Sequence, residues 1–295
     1  MLISSTGEIT PRIFFLGNLA QQVFLVRGRE NALIDAGMSI GGPLILSDLR
    51  QSLGDEKHLH WNLLTHSHFD HAGSTPYLKR KIPGLKIGAS AIAGQIFQNS
   101  RAVELIRSLN QDLEKAARIE EDVAFTGIEV DRILNDGDLL DLGEGAEIQV
   151  LATPGHTRCS ISFYLPGDQA VFCAEAGGVP DSDGDIMPEF LASFDDYVGS
   201  LERLSRLPVK YVGLAHGGII AGDEALSYFR RSLESTLAFK NEVTGLFRKG
   251  LEIRAVVQTL KEKYYDSGKV SQPYRAFMLN LEAKVKQVRE LLNVD

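Results

Sequence analysis

Cysteine is scarce in this chain, since only Cys159 and Cys173 occur among its 295 residues. Two thiols can form at most one bridge, whereas small secreted scaffolds depend on several. A chain of this length buries about three quarters of the surface that its unfolded form exposes, so its core needs no covalent support. The composition therefore excludes a disulfide scaffold and predicts a globular fold with a large apolar core.

Long apolar runs and a secretion signal are also missing. No hydrophobic stretch reaches the roughly 18 residues that a membrane-spanning helix requires. The first residues, from Met1 to Ser5, contain neither the basic segment nor the apolar segment of a signal peptide. The sequence therefore predicts a cytoplasmic protein without a membrane partner.

Positive charge is in deficit, because 31 lysine and arginine residues face 39 aspartate and glutamate residues. The formal net charge is −8 at pH 7. Proteins that bind nucleic acids gain most of their affinity by neutralising phosphates, and they usually present a basic face. The densest basic cluster, residues 79–81, fits the solvated face of a helix. We therefore expect no nucleic-acid partner.

Apolar segments between turn residues predict two blocks of strands, with helices after each block. The predicted strands are 12–16, 23–26, 32–35, 61–64, 85–88, 147–151, 160–165, 170–173 and 211–214. Helices are predicted where leucines recur at 44–53, and also at 92–121 and 196–207. This order of sheets and helices is typical of a layered α/β core.

After Gly222 the pattern is helical only, with apolar residues three or four positions apart. The two predicted stripes are Leu226, Phe229, Leu233 and Leu237, then Phe277, Leu281, Val285, Val288 and Leu292. We therefore divide the chain into a layered domain, residues 1–221, and a C-terminal helical extension, residues 222–295.

Histidines and carboxylates form a compact motif directly after the predicted strand 61–64: His66-x-His68-x-Asp70-His71. Beyond a strand end, residues i and i+2 point the same way, so His66 and His68 can bind one ion. The chain then turns into a helix that carries Asp70 and His71 towards a second ion. Imidazole and carboxylate donors suit Zn²⁺, Fe²⁺ or Mn²⁺.

Three further candidate ligands each follow a predicted strand. His156 follows strand 147–151, Glu175 follows strand 170–173, and His216 follows strand 211–214. Strand ends are where α/β proteins place their sites. A carboxylate is needed between two ions, and Glu175 is suitably placed to bridge them.

These stretches together resemble the metallo-β-lactamase fold superfamily: the 66–71 motif, Pro154-Gly155-His156-Thr157, the carboxylate at 175 and His216-Gly217. Within it they resemble the glyoxalase-II-like hydrolases. Pro76-Tyr77-Leu78, Leu207-Pro208 and the helical tail are most similar to the quinolone-response thioesterases. The resemblance implies a four-layer αββα sandwich, with residues 1–221 as the catalytic domain and residues 222–295 capping the active-site cleft.

The resemblance also implies roles for these residues. His66, His68 and His156 would hold one ion, and Asp70, His71 and His216 the other. Asp70 would be the catalytic residue that orients an attacking metal-bound hydroxide, and Asp35 would fix a ligand loop without touching metal. The expected cofactors are two divalent ions, Zn²⁺ first and Fe²⁺ or Mn²⁺ as alternatives. The expected substrate is a small-molecule thioester or related acyl ester.

One departure from the family pattern leaves alternatives open. Most members carry Gly-Asp where this chain has Ala174-Glu175, so the number of bound ions is not fixed by the sequence. A mononuclear iron enzyme of the sulfur-dioxygenase type is one alternative, and a largely non-catalytic regulator that retains the metal site is another. The sequence also leaves open whether the protein is a homodimer. His58 and His60 imitate the ligand spacing, but they precede the strand and are assigned to a surface loop.

Overall fold

The computed structural model describes residues 1–270 and 272–292, with Gln21 described by its backbone only. The strands are β1 (Leu2–Ile3), β2 (Gly7–Glu8), β3 (Ile13–Asn18), β4 (Gln21–Val26), β5 (Asn31–Ile34), β6 (Leu59–Leu63), β7 (Lys86–Ser90), β8 (Arg132–Leu134), β9 (Leu139–Gly143), β10 (Ala146–Ala152), β11 (Ile161–Leu165), β12 (Ala170–Ala174), β13 (Val179–Pro180), β14 (Ile186–Met187), β15 (Tyr211–Leu214) and β16 (Ile219–Ala221). The α-helices are α1 (Gly42–Leu53), α2 (Phe69–Ala72), α3 (Thr75–Lys81), α4 (Ala91–Gln98), α5 (Ser100–Ala117), α6 (Phe194–Leu204), α7 (Asp223–Arg248), α8 (Ile253–Lys261) and α9 (Tyr274–Leu292). A π-helical turn, Glu262–Asp266, continues α8.

The long strands form two seven-stranded sheets. The N-terminal sheet has the order β2-β3-β4-β5-β6-β7-β8, and the C-terminal sheet has the order β1-β16-β15-β12-β11-β10-β9. In the N-terminal sheet, β5 to β8 run parallel, whereas the pairs from β2 to β5 are antiparallel. In the C-terminal sheet only β12 and β15 are parallel neighbours among the described residues. Strands β10, β12 and β15 consequently run in one direction, and their carboxyl ends meet at one edge.

Three apolar layers give the chain its four-layer αββα architecture. Phe15 and Phe24 of one sheet and Phe163 and Phe172 of the other belong to the layer between the sheets. A second layer packs α1, α3, α4 and α5 on the N-terminal sheet, and a third packs α6 to α9 on the C-terminal sheet. Mixed α/β layering of this kind confirms the predicted fold class.

The C-terminal helices share their core with the C-terminal sheet. Phe229, Val243 and Phe277 lie in the same buried cluster as Leu201 of α6 and Val171 of β12. Among the described residues, none of the helices combines the length and apolar character needed to cross a bilayer. The division of the chain at residues 221 and 222 stays a prediction, although α7 does begin at Asp223.

The buried faces of α1 and α7 differ from the predicted stripes. Leu44 is exposed and its neighbour Ile45 is buried, and Leu226 and Leu237 of α7 are likewise exposed. Phe229 is buried as predicted, but Tyr228 and Phe239 face the core in place of the two leucines, together with the buried polar residues Ser232 and Thr236. The prediction was wrong there because a stripe chosen by hydrophobicity alone overlooks small polar residues that pack inward.

The single helix predicted at 92–121 is two helices. Asn99 ends α4, and its side-chain oxygen accepts hydrogen bonds from the backbone N–H groups of Arg101 and Ala102. Asparagine is a preferred N-cap because this bond satisfies donors that have no partner within the helix. The break allows the two helices to pack against each other beside the N-terminal sheet.

Candidate metal centre

The candidate ligands come from the carboxyl ends of strands in both sheets. The motif 66–71 begins just after β6, with His68 preceding α2 and with Asp70 and His71 inside that helix. His156 lies between β10 and β11, Glu175 begins a turn after β12, and His216 lies between β15 and β16. The backbone N–H of Ile161 donates to the carbonyl of Thr65 at 2.9 Å, and this bond joins the two halves beside the site.

Three histidines form the first ligand group. His66, His68 and His156 each offer a nitrogen, and these nitrogens lie within 4.8 Å of one another. Nε2 of His156 lies 3.2 Å from Nδ1 of His68, and the rings of His66 and His68 are 4.6 Å apart. Three imidazoles that converge in this way are a donor set that Zn²⁺ commonly uses.

The second ligand group mixes histidines and carboxylates. Asp70, His71, Glu175 and His216 present donor atoms within 4.8 Å of one another. Nε2 of His71 lies 3.1 Å from Oε1 of Glu175, and Nε2 of His216 lies 3.5 Å from the same oxygen. Asp70 and His216 are the more accessible members, with side chains 20% and 28% exposed.

Glu175 lies between the two groups and turns one oxygen towards each. Its Oε2 lies 3.6 Å from Nε2 of His66 and 3.7 Å from Nε2 of His156, whereas Oε1 faces His71 and His216. The extra methylene of glutamate therefore leaves the carboxylate in a bridging position. The structure brings together all seven residues that the sequence analysis predicts as metal ligands.

Two buried atoms at the centre have no hydrogen-bond partner among the described residues. These atoms are Nε2 of His66 and Oε2 of Glu175, which face each other at a separation too long for a hydrogen bond. Buried polar atoms without a partner are rare in native proteins, and a bound ion or ordered water often satisfies the exceptions. The chemistry of the donors and these two orphaned atoms fit a divalent metal.

Asp35 holds two ligand-bearing segments in place. Its carboxylate accepts hydrogen bonds from the backbone N–H and the hydroxyl of Thr65 and from Nδ1 of His71, at 2.8–3.0 Å. The Thr65 hydroxyl also lies 3.0 Å from Nδ1 of His66. With its Nδ1 proton directed at Thr65, His66 keeps Nε2 free for a metal, as is usual for metal-binding histidines. Asp35 thus acts through Thr65 and His71.

The electrostatic surroundings differ between the two groups. Burial lowers the pKa of His156 to about 4, and it also lowers the pKa of His66 and of His68. Burial opposes protonation of His71 and His216 too, but nearby carboxylates together outweigh it and raise the pKa of both: Glu175 and Asp35 act on His71, and Glu175 and Asp70 act on His216. Burial alone would raise the pKa of Glu175, yet the surrounding histidines hold it well below its usual value.

The backbone is strained just before Glu175. Ala174 has φ 46° and ψ −137°, a conformation that non-glycine residues seldom adopt.

A close approach between backbones occurs at Gly155, where a Cβ would lie 2.4 Å from Cα of Tyr197. Only glycine lets the loop before His156 pack against α6 in this way.

Sequence reasoning missed the residues that support the ligands from behind. Nδ1 of His156 donates to the carbonyl oxygen of Glu189 at 2.8 Å, and the Tyr197 hydroxyl donates to the carbonyl of Glu175 at 3.1 Å. The same hydroxyl accepts from the backbone N–H of Glu189 at 3.3 Å. No motif marks Glu189 or Tyr197. Thr65 was detectable, because it directly precedes the first ligand.

The other nominated residues lie apart from the centre. His58 is in a 3₁₀ turn and His60 is in strand β6 rather than in a loop, where its Nδ1 accepts from the backbone of Asn31. Both cysteines are buried and unpaired, and burial raises the pKa of Cys173 to about 12. Neither cysteine is among the residues that converge on the candidate site.

The chain is similar in sequence to several known proteins. The chain is 22% identical to a hydroxyacylglutathione hydrolase of Nitrosococcus oceani over 83% of this chain and 87% of that one. It is 26% identical to an atrochrysone carboxyl ACP thioesterase of Aspergillus fumigatus over 65% of this chain and 49% of that one. The chain spans only 33% of the length of another relative, a putative diflavin flavoprotein of Synechocystis sp., and 44% and 36% of two more.

Solved structures show the same fold. A metallo-β-lactamase family protein from Thermus thermophilus superposes with a TM-score of 0.68 at 19% identity, covering 96% of this chain and 95% of that one. A family model described as the metallo-beta-lactamase superfamily matches residues 16–216, well over half of the chain. This chain therefore belongs to the metallo-β-lactamase superfamily.

Proposed function

We propose that this chain is a metal-dependent hydrolase of a thioester or a related small-molecule acyl ester. The observation that carries the proposal is the position of Glu175, whose two oxygens each face one of two adjacent ligand groups. That arrangement supports two divalent ions, Zn²⁺ first and Fe²⁺ or Mn²⁺ as alternatives, rather than one.

The relatives support the choice of substrate class. A hydroxyacylglutathione hydrolase and an ACP thioesterase are each named for release of an acyl group, and both match this chain over more than half of its length. Their identities to this chain are 22% and 26%, so the likeness indicates a substrate class and does not identify the acyl group or the leaving thiol.

Different residues of the chain would have different roles in hydrolysis. Divalent ions, when bound, supply Lewis acidity towards an ester carbonyl and lower the pKa of water. His66, His68 and His156 would hold one ion, while Asp70, His71 and His216 would hold the other, with Glu175 between them. The Asp70 carboxylate lies on the more exposed side, 3.7 Å from His216, where it can orient the attacking water and accept its proton.

The C-terminal extension would then shape the acyl side of the cleft. The Tyr265 ring packs edge-to-face on Tyr274 at 5.4 Å and against the buried Phe277 at 5.0 Å, close to Gly268 with its positive φ. The exposed Tyr274 and the half-buried Tyr265 would offer aromatic surface to an acyl chain. We propose that residues 222–295 cap the cleft in this manner.

Metal analysis followed by assays of acyl thioesters tests the proposal. The purified protein should bind two equivalents of zinc and hydrolyse at least one member of a panel that varies in acyl length and thiol. A chelator should abolish turnover, and added zinc should restore it. His66→Ala should lose both metal and turnover, whereas His58→Ala, a histidine outside the site, should keep both.

Two other results would contradict the hydrolase. A single bound iron, with oxygen consumed when a persulfide is added, would identify the sulfur-dioxygenase alternative. If a strain that carries His66→Ala behaves like the unchanged strain although its protein has lost turnover, the regulatory alternative is identified.

A further inference from the structure

A buried ion pair connects the C-terminal helix to the loop behind the metal centre. Nζ of Lys284 in α9 lies 3.0 Å from Oε1 of Glu189 and donates to the carbonyl of Pro188 at 2.9 Å. The two charged side chains are only 1% and 2% exposed. Asn280, one turn earlier in α9, donates to the other carboxylate oxygen of Glu189 at 3.3 Å.

The Lys284 ammonium has two hydrogen-bond acceptors and one aromatic contact. Besides Pro188 and Glu189, the Lys284 ammonium lies 5.6 Å from the centre of the Phe239 ring, within the range of a cation–π contact. A lysine is almost never fully buried unless it is paired. The bond to the Pro188 carbonyl therefore holds the backbone directly, and the ion pair holds the side chain of the next residue, Glu189.

The same backbone segment contacts the candidate ligands on its other side. The carbonyl of Glu189 accepts the Nδ1 proton of His156 at 2.8 Å. The N–H of Glu189 bonds to the Tyr197 hydroxyl, which in turn donates to the carbonyl of Glu175. A continuous chain of hydrogen bonds thus runs from α9 to one member of each ligand group.

We propose that Lys284, acting through Glu189, is a positioning residue of the metal centre, so that helix α9 takes part in setting metal affinity. The proposal rests on the metal-dependent function proposed above. The Glu189 carbonyl fixes the tautomer and the orientation of His156. Loss of the hydrogen bond that holds the second ring nitrogen of a metal-binding histidine typically weakens metal binding by about 10- to 100-fold. Lys284 and Asn280 hold that carbonyl in place.

The test separates positioning from stability with three variants. Lys284→Met leaves the Glu189 carboxylate buried without its cation, which destabilises the fold as a whole. Lys284→Met combined with Glu189→Met replaces the pair by apolar chains of similar length and removes that cost. Lys286→Met, an exposed lysine on the same helix, is the matched control.

We expect the double variant to resist urea better than Lys284→Met, although the Pro188 carbonyl and the Asn280 amide lose their partners, and to bind zinc about 10- to 100-fold more weakly than the unchanged protein, as measured by competition with a chromophoric chelator. Lys286→Met should bind zinc normally. A double variant that is stable and binds zinc with unchanged affinity would overturn the proposal, because the pair would then serve stability alone.

A second measurement uses the metal-free protein and is independent of the proposed activity. In the ¹⁵N NMR spectrum, the His156 ring should be protonated at Nδ1 with slow proton exchange, and the double variant should show mixed tautomers and fast exchange. Unchanged tautomer and exchange in the double variant would also overturn the proposal. If the unchanged protein binds none of zinc, iron and manganese, the proposed hydrolase is contradicted, whereas this spectrum still decides whether Lys284 positions His156.

Discussion

The two ligand groups of the candidate centre differ in charge and in accessibility. His66, His68 and His156 have pKa values lowered by burial, so they are neutral near pH 7 and ready to bind a cation. His71 and His216 lie against the Glu175 carboxylate, which raises their pKa values and favours bound protons. The three-histidine group can therefore accept an ion directly, whereas the mixed group must exchange protons for its ion.

This difference predicts an order of loading. An ion held by the three-histidine group would give partners to two orphaned atoms, Nε2 of His66 and Oε2 of Glu175, and would replace a single contact between neutral imidazoles, that of His156 with His68. An ion that enters the mixed group disrupts existing contacts between His71, His216 and Glu175. We expect the three-histidine group to bind its ion more tightly and to be filled first.

Removal of one ligand from each group should have the largest effect. His156→Ala should weaken the tight zinc site by more than the roughly 100-fold that loss of an outer hydrogen-bond partner costs. His216→Ala should remove the weaker ion and leave the tight one. Zinc titration of both variants measures this, and the comparison fails if His216→Ala weakens the tight site as much as His156→Ala does.

Asp35→Asn should produce an intermediate effect on both groups at once. Asn tolerates the positive φ of 60° at this position, so the substitution removes the charge without straining the backbone. Because Asp35 orients both His71 and, through Thr65, His66, zinc affinity should fall about 10- to 100-fold at each site. Asp131→Asn also removes a carboxylate that accepts a backbone N–H, but Asp131 belongs to neither ligand group, so the zinc affinity of that variant should be unchanged. If Asp35→Asn weakens zinc binding only at the site that contains His71, then Thr65 does not couple Asp35 to His66.

The affinity of the two ligand groups for metal should also depend differently on pH, and this difference should be smaller than the effects of the substitutions above. At pH 7 the mixed group binds protons that the second ion must displace, so the affinity for that ion should rise about tenfold per pH unit for each proton released. The rise should end once pH exceeds the raised pKa values of His71 and His216. Calorimetry in two buffers of different ionisation enthalpy counts the protons. Equal proton release by both ions would refute the proposed difference.

Ala174→Gly should have the smallest effect, and it tests the residue that positions Glu175. Ala170→Gly in the same strand loses an equivalent methyl group and gains the same freedom in the unfolded chain, but Ala170 lacks the positive φ of Ala174. In urea unfolding of the metal-free proteins, the free energy of unfolding of Ala174→Gly should therefore exceed that of Ala170→Gly by about 1–3 kcal/mol. This is the usual cost of such a backbone conformation. Equal values would show that Ala174 stores no strain.

Much of the site could be predicted because its residues follow strands. The positions of His66, His156, Glu175 and His216 after four β-segments implied that their side chains would meet, and the structure brings them together. The inward faces of α1 and α7 were less predictable, because buried Ser232 and Thr236 do not stand out in a hydrophobic pattern. A lysine beside the apolar stripe of α9, Lys284, is a signal in the sequence for a buried acidic partner.

The sequence by itself determined the donor chemistry, the order of strands and helices, and the strand ends at which the donors occur, because these follow from residue type and local periodicity. Only the tertiary structure decided which Glu175 oxygen faces which histidines, how Asp35 supports two segments, and that Lys284 reaches the loop behind His156. Those relations join residues as many as 109 positions apart, and the contacts depend on distances that only packing sets.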